Sequence, residues 1–391
     1  MISRIYLARA LRSFADGFIA VVLPAYLLAL GLGQLEVGFI STATLLGSAF
    51  ATLAIGRWGH RFSIRRLLIA AALLMAVTGL GFAGLSSFWP LVVVAFVGTL
   101  NPSSGDASIF MPLDHTMLAT AADRPGVFAR YSFIGSIAGA VGALAAGLPQ
   151  AFSHHIAMLD ALRAMFVLYG ALGVAVWLLY LRLPDPHAEQ QRPNVALGPS
   201  RGVVWRLAAL FSIDSFAGGL VLNSLLALWL FQRYGMTLAA AGAFFFWTGV
   251  LSAGSQLLAA PLARRIGMVN TMVFTHIPSS LCLIGAALAP SLTWALGLLL
   301  GRALLSQMDV PARGALVMSV VTPAERPAAA SFTAVPRSLA SAISPSITGA
   351  LFAAGAMAAP LVVCGILKIV YDLALFAGFR RIERAEATAS P

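Results

Sequence analysis

Apolar positions along the chain gather into twelve runs of about 20 residues, separated by short stretches in which arginine, proline and glycine concentrate. A helix needs roughly 20 apolar residues to cross about 30 Å of hydrocarbon, and only helices or closed barrels satisfy their own backbone polar groups there. The pattern predicts an all-α membrane protein with spans near 13–32, 35–56, 67–85, 89–121, 131–149, 157–181, 207–230, 238–260, 271–290, 293–321, 336–357 and 361–379. The first run is full length and leads directly into the second, so no cleaved leader is expected.

One longer polar stretch, residues 182–201, carries Pro184, Pro186, Pro193 and Pro199 among Asp, Glu, Gln and Asn, and it reads as a linker. The chain repeats its punctuation across it. Phe14-Ala15-Asp16-Gly17-Phe18 corresponds to Ser212-Ile213-Asp214-Ser215-Phe216, and Asp123-Arg124-Pro125 to Glu325-Arg326-Pro327. The expected organisation is a six-helix bundle over 1–181, a cytoplasmic linker over 182–206 and a second six-helix bundle over 207–391.

Composition agrees with a lipid solvent. The chain is 60% hydrophobic and 10% charged with a mean hydropathy of +0.90, where a soluble domain would carry about 25% charged residues. A net charge of +11 would suit a nucleic-acid binder, but the placement of the charge excludes that reading. Of the 25 basic residues, 20 fall in the termini and even-numbered loops, and Arg233 alone in an odd-numbered loop. By the positive-inside rule both termini are cytoplasmic, in a multi-pass protein of the plasma membrane of bacterial inner-membrane type.

Cys282 and Cys364 lie inside apolar spans and read as packing residues. His154 and His155 lack a third ligand, His276 stands alone, and no phosphate loop is present. Neither an enzyme, a cofactor nor a metal site is expected. The expected partners are a small-molecule substrate, protons and the bilayer, with the chain a monomer.

Between the second and third spans stands Gly56-Arg57-Trp58-Gly59-His60-Arg61-Phe62-Ser63-Ile64-Arg65-Arg66. With Gly56, Arg61, Arg65 and Arg66 in place, this stretch resembles the loop signature of the major facilitator superfamily; His60 stands where that signature has aspartate and Ser63 where it has its second glycine. Gly301-Arg302, continuing to Gln307, is similar to the family's glycine-arginine-glutamine element, and Ser344-Pro345-Ser346-Ile347-Thr348-Gly349 to a pattern of its antiporters. The resemblance implies two pseudo-symmetric six-helix bundles, alternating access between them, and a central cavity lined by spans 1, 4, 7 and 10.

Each of those four spans carries an aspartate: Asp16, Asp106, Asp214 and Asp309. Charge inside a span normally faces a cavity or a partner, and like carboxylates around one vestibule can make one of them a proton carrier. The substrate and proton pathway is expected to use Asp16, Asn101, Ser104, Asp106, Asp214, Asn223, Arg302, Gln307, Asp309 and Arg313. The competing reading pairs the aspartates with Arg302, Arg313, Arg130 and Arg337 as bridges.

Segment 4 holds Asn101-Pro102-Ser103-Ser104-Gly105-Asp106-Ala107-Ser108-Ile109-Phe110-Met111-Pro112, where prolines remove backbone donors, and the helix is expected to bend or unwind there. A conformational gate is expected from Gly56, His60, Arg61, Arg65, Arg66, Asp114, Asp123, Arg130, Arg264, Arg265 and Arg337, with Asp114 or Asp123 replacing the missing loop carboxylate. Lys368, the chain's single lysine, is expected to pair with Asp372 one turn later. Gly135, Gly139, Gly142 and Gly147 in segment 5 are expected to admit close helix contact.

Together these features predict a secondary transporter, proton-coupled and exporting a small amphipathic or cationic solute. The alternatives are a facilitator or symporter importing a small metabolite, with the aspartates as gates, and a membrane receptor or assembly factor that transports nothing.

Overall fold

The computed structural model describes residues 1–103, 108–118, 124–184, 198, 200–309, 313, 316–317, 321–322 and 325–389, without the side chains of 60, 124–125, 260, 326–328, 331 and 380–389. Among the described residues every regular element is helical. The first half comprises α1 (Ile2–Ala29), α2 (Gln34–Trp58), a 3-10 turn (Gly59–Arg61), α3 (Ile64–Gly84), α4 (Phe88–Val97), α5 (Phe110–Leu118), α6 (Arg124–Ala145), α7 (Leu148–Phe152) and α8 (Met158–Leu181). The second comprises α9 (Arg201–Leu220), α10 (Asn223–Tyr234), α11 (Leu238–Ile266), α12 (Met268–Ala287), α13 (Leu292–Leu305), α14 (Arg326–Ala353) and α15 (Ala359–Ala389).

Among the described residues nine helical stretches are long and apolar enough to span a bilayer, and Phe88–Val97 and Leu292–Leu305 are shorter apolar helices. Their outer surfaces are those of a lipid-solvated protein: Trp89 and Trp294 are 74% and 66% exposed, far beyond what water tolerates in such number. The chain divides into two compact units. One contains residues 1–191, 222–247 and 345–355; the other contains 192–221, 248–344 and 356–391.

In the first unit α1 packs on α6, and α3 on α8. The segment-5 glycines make the α1–α6 approach possible. A Cβ on Gly17 would stand 2.0 Å from the Gly139 carbonyl oxygen, and one on Gly142 would stand 2.0 Å from that of Phe14. Both obstacles are backbone, so the helices themselves would have to separate. Gly17→Ala is therefore expected to cost about 1–3 kcal/mol, measured by thermal unfolding of the purified protein; an unchanged midpoint would show that the helices are not in this contact. Deeper in the unit, Phe82 stacks on Phe166 at 5.2 Å, and the Tyr26 hydroxyl donates to the carbonyls of Phe82 and Leu85.

The expected unwinding in segment 4 is present: α4 stops at Val97, α5 starts at Phe110, and the described residues between them are non-helical. Asn101 Oδ1 accepts from the Ser103 amide and hydroxyl, a local turn that competes with helix. The freed Pro102 carbonyl accepts the amide of Ser224, an orphan donor at the start of α10. That amide is available because segment 7 is itself broken at residues 221–222, between α9 and α10. Segment 10 is interrupted likewise, with α13 ending at Leu305 and residues 306–308 in a turn.

In the second unit α12 packs on α15 and α13, and α15 on α9. An apolar cluster of Val204, Leu207, Phe211, Val269, Met272 and Leu375 fills the space between α9, α12 and α15. The charged side chains of this unit stand beside that cluster.

Candidate functional site

Each unit buries a group of charges inside its spans. In the first, Arg12 of α1 is 4% exposed and Asp114 of α5 is fully buried, and the Arg12 guanidinium donates to Asp114 Oδ2. Two phenols complete the shell: Tyr131 Oη donates to the same oxygen at 2.8 Å and Tyr180 Oη approaches Oδ1 at 3.4 Å. Phe110 lies under the guanidinium, 4.1 Å from its carbon. Charge-assisted bonds of this kind are what a carboxylate needs to survive burial. Asp114 is thus bonded to side chains of α1, α6 and α8.

One turn along α1, Asp16 is half-buried, faces Asn101 and feels the charges of Arg9 and Arg12. Asn101, 1% exposed, sits on the broken segment, and the Tyr169 hydroxyl donates to the Thr99 carbonyl at 3.1 Å beside it. A carboxylate, an amide and an interrupted backbone therefore share one corner of this unit. Ser104, Asp106 and Asp123 lie outside the described residues.

The second unit holds a larger group. Asp214 of α9 accepts from Lys368 Nζ of α15 at 2.6 Å through Oδ1, and from Arg313 Nη2 at 2.8 Å through Oδ2. Arg313 also donates to Asp309 one helical turn earlier. His276 of α12 is 3% exposed; its Nδ1 lies 3.0 Å from each carboxylate oxygen of Asp372, and its Nε2 lies 3.3 Å from Lys368 Nζ. A continuous bonded series results: Asp309, Arg313, Asp214, Lys368, His276, Asp372.

This corrects two expectations. Lys368 gives its ammonium to Asp214 on another helix rather than to Asp372, because the side chain crosses to α9 instead of lying along its own helix. His276, read as solitary, is the partner of Asp372 and the element that joins α12 to the group. The expectation that Arg313 pairs with a span aspartate holds for both Asp309 and Asp214.

The remaining candidates are dispersed. Arg337 donates to Ser215 Oγ at 3.2 Å. Arg302 is half-buried near Cys282 and Cys364, with no carboxylate bound to it among the described residues. Asn223 and Gln307 are half-buried at the breaks of segments 7 and 10. In the 2–3 loop, Arg65 donates to the Leu181 carbonyl at 2.5 Å, and Ser63 Oγ accepts the Arg66 amide as the cap of α3. Gly56 and Arg61 are exposed, and the side chain of His60 is not described. Arg130, Arg264 and Arg265 are exposed, the last two in the final turn of α11, where cations offset the helix dipole.

Glu325, before α14, reads in the sequence only as repeat punctuation. It accepts from Ser200 Oγ at 2.6 Å, Thr322 Oγ1 at 2.7 Å and the Gly198 amide, so it ties the end of the linker to the 10–11 loop. The bonds from Ser200, Thr322 and Gly198 hold its carboxyl down at about 2, against an ordinary 4.5. A depressed carboxyl contributes its stabilisation above the ordinary value and loses it as pH falls through the depressed one. Amide protection factors around Gly198 are accordingly expected to stay constant from about pH 8 to about pH 5 and to fall between pH 4.5 and about 2; a fall near neutrality would assign the clasp to another group.

Comparison with known proteins bears on this arrangement. A model of the Major Facilitator Superfamily matches residues 5–308. An uncharacterized membrane protein of Saccharomyces cerevisiae is 22% identical over 95% of this chain and 92% of its own length. Among solved structures, a bacterial homologue of the iron transporter ferroportin, in an inward-facing state, superposes with a TM-score of 0.77 at 15% identity, covering 96% of this chain and 98% of that one. A nucleoside transporter superposes with a TM-score of 0.75 at 14% identity over 97% and 99% of the two chains. At these identities the structural likenesses establish the fold.

Proposed function

The chain belongs to the Major Facilitator Superfamily and is a membrane transporter rather than an enzyme, and on that premise we propose that it is a proton-coupled exporter of a small amphipathic or cationic solute. The observation that carries the reading is the series from Asp309 to Asp372, which buries three carboxylates inside membrane spans. Burying charge at that depth costs a few kcal/mol per group. A packing role needs one neutral pair at most; a series with an imidazole in it suits proton exchange.

In this reading Asp16, half-buried beside Asn101, is the attractive group for the solute, and Asp214 and Asp309 belong to the proton pathway rather than to solute contact. Spans 1, 4, 7 and 10 line a cavity that opens alternately to each side. Both termini are cytoplasmic, the membrane is a bacterial inner membrane, and the transporter is a monomer of two six-helix bundles over 1–181 and 207–391. The arginines of the 2–3 and 8–9 loops act as the gate.

The test is transport by purified protein in proteoliposomes, with ethidium as the amphipathic cation. An imposed proton gradient is expected to drive ethidium against its concentration, and Asp16→Asn to abolish that movement. Equal rates with and without the gradient would favour a facilitator, in which the aspartates serve as gates.

A further inference from the structure

The unit that carries Asp214 contains an imidazole whose two nitrogens face opposite kinds of partner. Nδ1 of His276 meets both oxygens of Asp372 at 3.0 Å. A carboxylate only accepts, so Nδ1 holds a hydrogen. Nε2 lies 3.3 Å from Lys368 Nζ, and an ammonium only donates, so Nε2 presents its lone pair. One state of the ring satisfies every contact, the neutral tautomer protonated on Nδ1.

A second proton must go to Nε2, and there it meets a donor. A carboxylate acceptor stands close by, Asp214 Oδ1 at 3.8 Å, which Lys368 Nζ already holds at 2.6 Å. An imidazolium and an ammonium 3.3 Å apart cannot both keep that oxygen. We propose that His276 is a proton-accepting site of this transporter, and that its protonation hands Asp214 Oδ1 from Lys368 to the imidazole, breaking the Lys368 link between α15 and α9.

The surrounding charges favour this exchange. From α15 the ring faces Asp372, Lys368 and the edge of Tyr371. From α9 it faces Asp214, to which Arg313 is bonded, with Asp309 beyond. Arg337 of α14 donates to Ser215 and also acts through its charge on Arg313, Asp214 and Asp309, outside the bonded series, and Arg302 of α13 lies next to Cys282 and Cys364. Within the bonded series the carboxylates of Asp309, Asp214 and Asp372 exceed the cations Arg313 and Lys368 by one, so one added proton makes it neutral. Nothing is oxidised or reduced; one proton arrives and one hydrogen-bond donor is exchanged for another. Lys368 keeps somewhere to go, its side chain being 12% exposed.

The inference rests on the proton-coupled reading and locates its proton. Its test is nitrogen-15 magnetic resonance of histidine-labelled full-length protein in lipid nanodiscs, with the His276 signal identified by its loss in His276→Gln. If that variant does not fold, replacing the other five of the six histidines leaves His276 as the sole signal. As the pH is lowered the ring is expected to pass from the Nδ1-protonated neutral form to the doubly protonated form. Lys368→Met removes the competitor and is expected to raise proton affinity about tenfold or more, moving the midpoint up by about one pH unit.

A ring that keeps one protonation state throughout, or a midpoint indifferent to Lys368→Met, overturns the proposal. Ethidium transport in parallel proteoliposomes separates the two ideas. Gradient-driven transport with a silent His276 removes the histidine from the role and leaves proton coupling standing. A titrating, Lys368-sensitive His276 in vesicles where the gradient drives nothing supports the switch and removes the coupling.

Discussion

Asp214→Ala is expected to destabilise the protein by roughly 3–5 kcal/mol, the loss that follows when one partner of a buried ionic group is removed and the others stay behind. The aspartate is 4% exposed and serves two cations at once. Without it Arg313 keeps Asp309, but Lys368 is left with a neutral imidazole nitrogen as its described acceptor. Most of the loss should therefore come from the lysine. A second change, Lys368→Met, removes the orphaned ammonium and should restore much of the stability, so the double variant should unfold later than the sum of the single losses requires. The same cycle run on Lys368 and Asp372 should show less coupling, because the two do not bond directly and meet only through His276. Additive losses for Lys368 with Asp214, measured by thermal unfolding in detergent, would show that the two do not meet.

That pair also shows where sequence reasoning stopped. The spans, the proline-rich linker and the unwound segment 4 are local properties: apolar run length, composition, and prolines that deny the backbone its donors. Partners across helices are not. The spacing of Lys368 and Asp372 makes them neighbours along one helix, yet the lysine has a longer reach and a carboxylate on α9 within it. His276 does carry a signal in the sequence, since a titratable ring in an apolar span needs a partner as a lysine does. Arg12, at the edge of the first apolar run, reads from the sequence as one of the arginines that set topology, although it belongs to the buried side of α1. The break at residues 221–222 has no proline; it is completed by the Pro102 carbonyl, more than a hundred residues away, and no local pattern predicts that.

Arg12→Met should match Asp214→Ala in magnitude and differ from it in kind. Arg12 and Asp114 join spans 1 and 4 as Asp214 and Arg313 join spans 7 and 10, at positions 202 and 199 residues apart, with the two charges exchanged between the helices. Each half thus joins its first and fourth spans by an ionic link of opposite polarity, although Asp214 corresponds in the repeat to Asp16, one turn beyond Arg12. In the first unit the carboxylate sits among Arg12 and two phenols, with no histidine among the groups bonded to it in the described residues. Removing Arg12 leaves a fully buried carboxylate with only neutral donors bonded to it, and roughly 3–5 kcal/mol should be lost. Arg12→Met with Asp114→Leu should recover most of that, since an apolar pair of similar volume often equals a buried ionic one. The difference lies in pH, and it shows in the Arg12→Met/Asp114→Leu double variant, which leaves no orphaned carboxylate to titrate. That double variant should leave the pH dependence of unfolding and of ethidium transport unchanged in shape, whereas Asp214→Ala removes the acceptor that the His276 exchange requires and should flatten both. Equal flattening by that double variant and by Asp214→Ala would mean that the links form one titrating system, and would refute the assignment of a fixed link to the first unit and a proton-responsive one to the second.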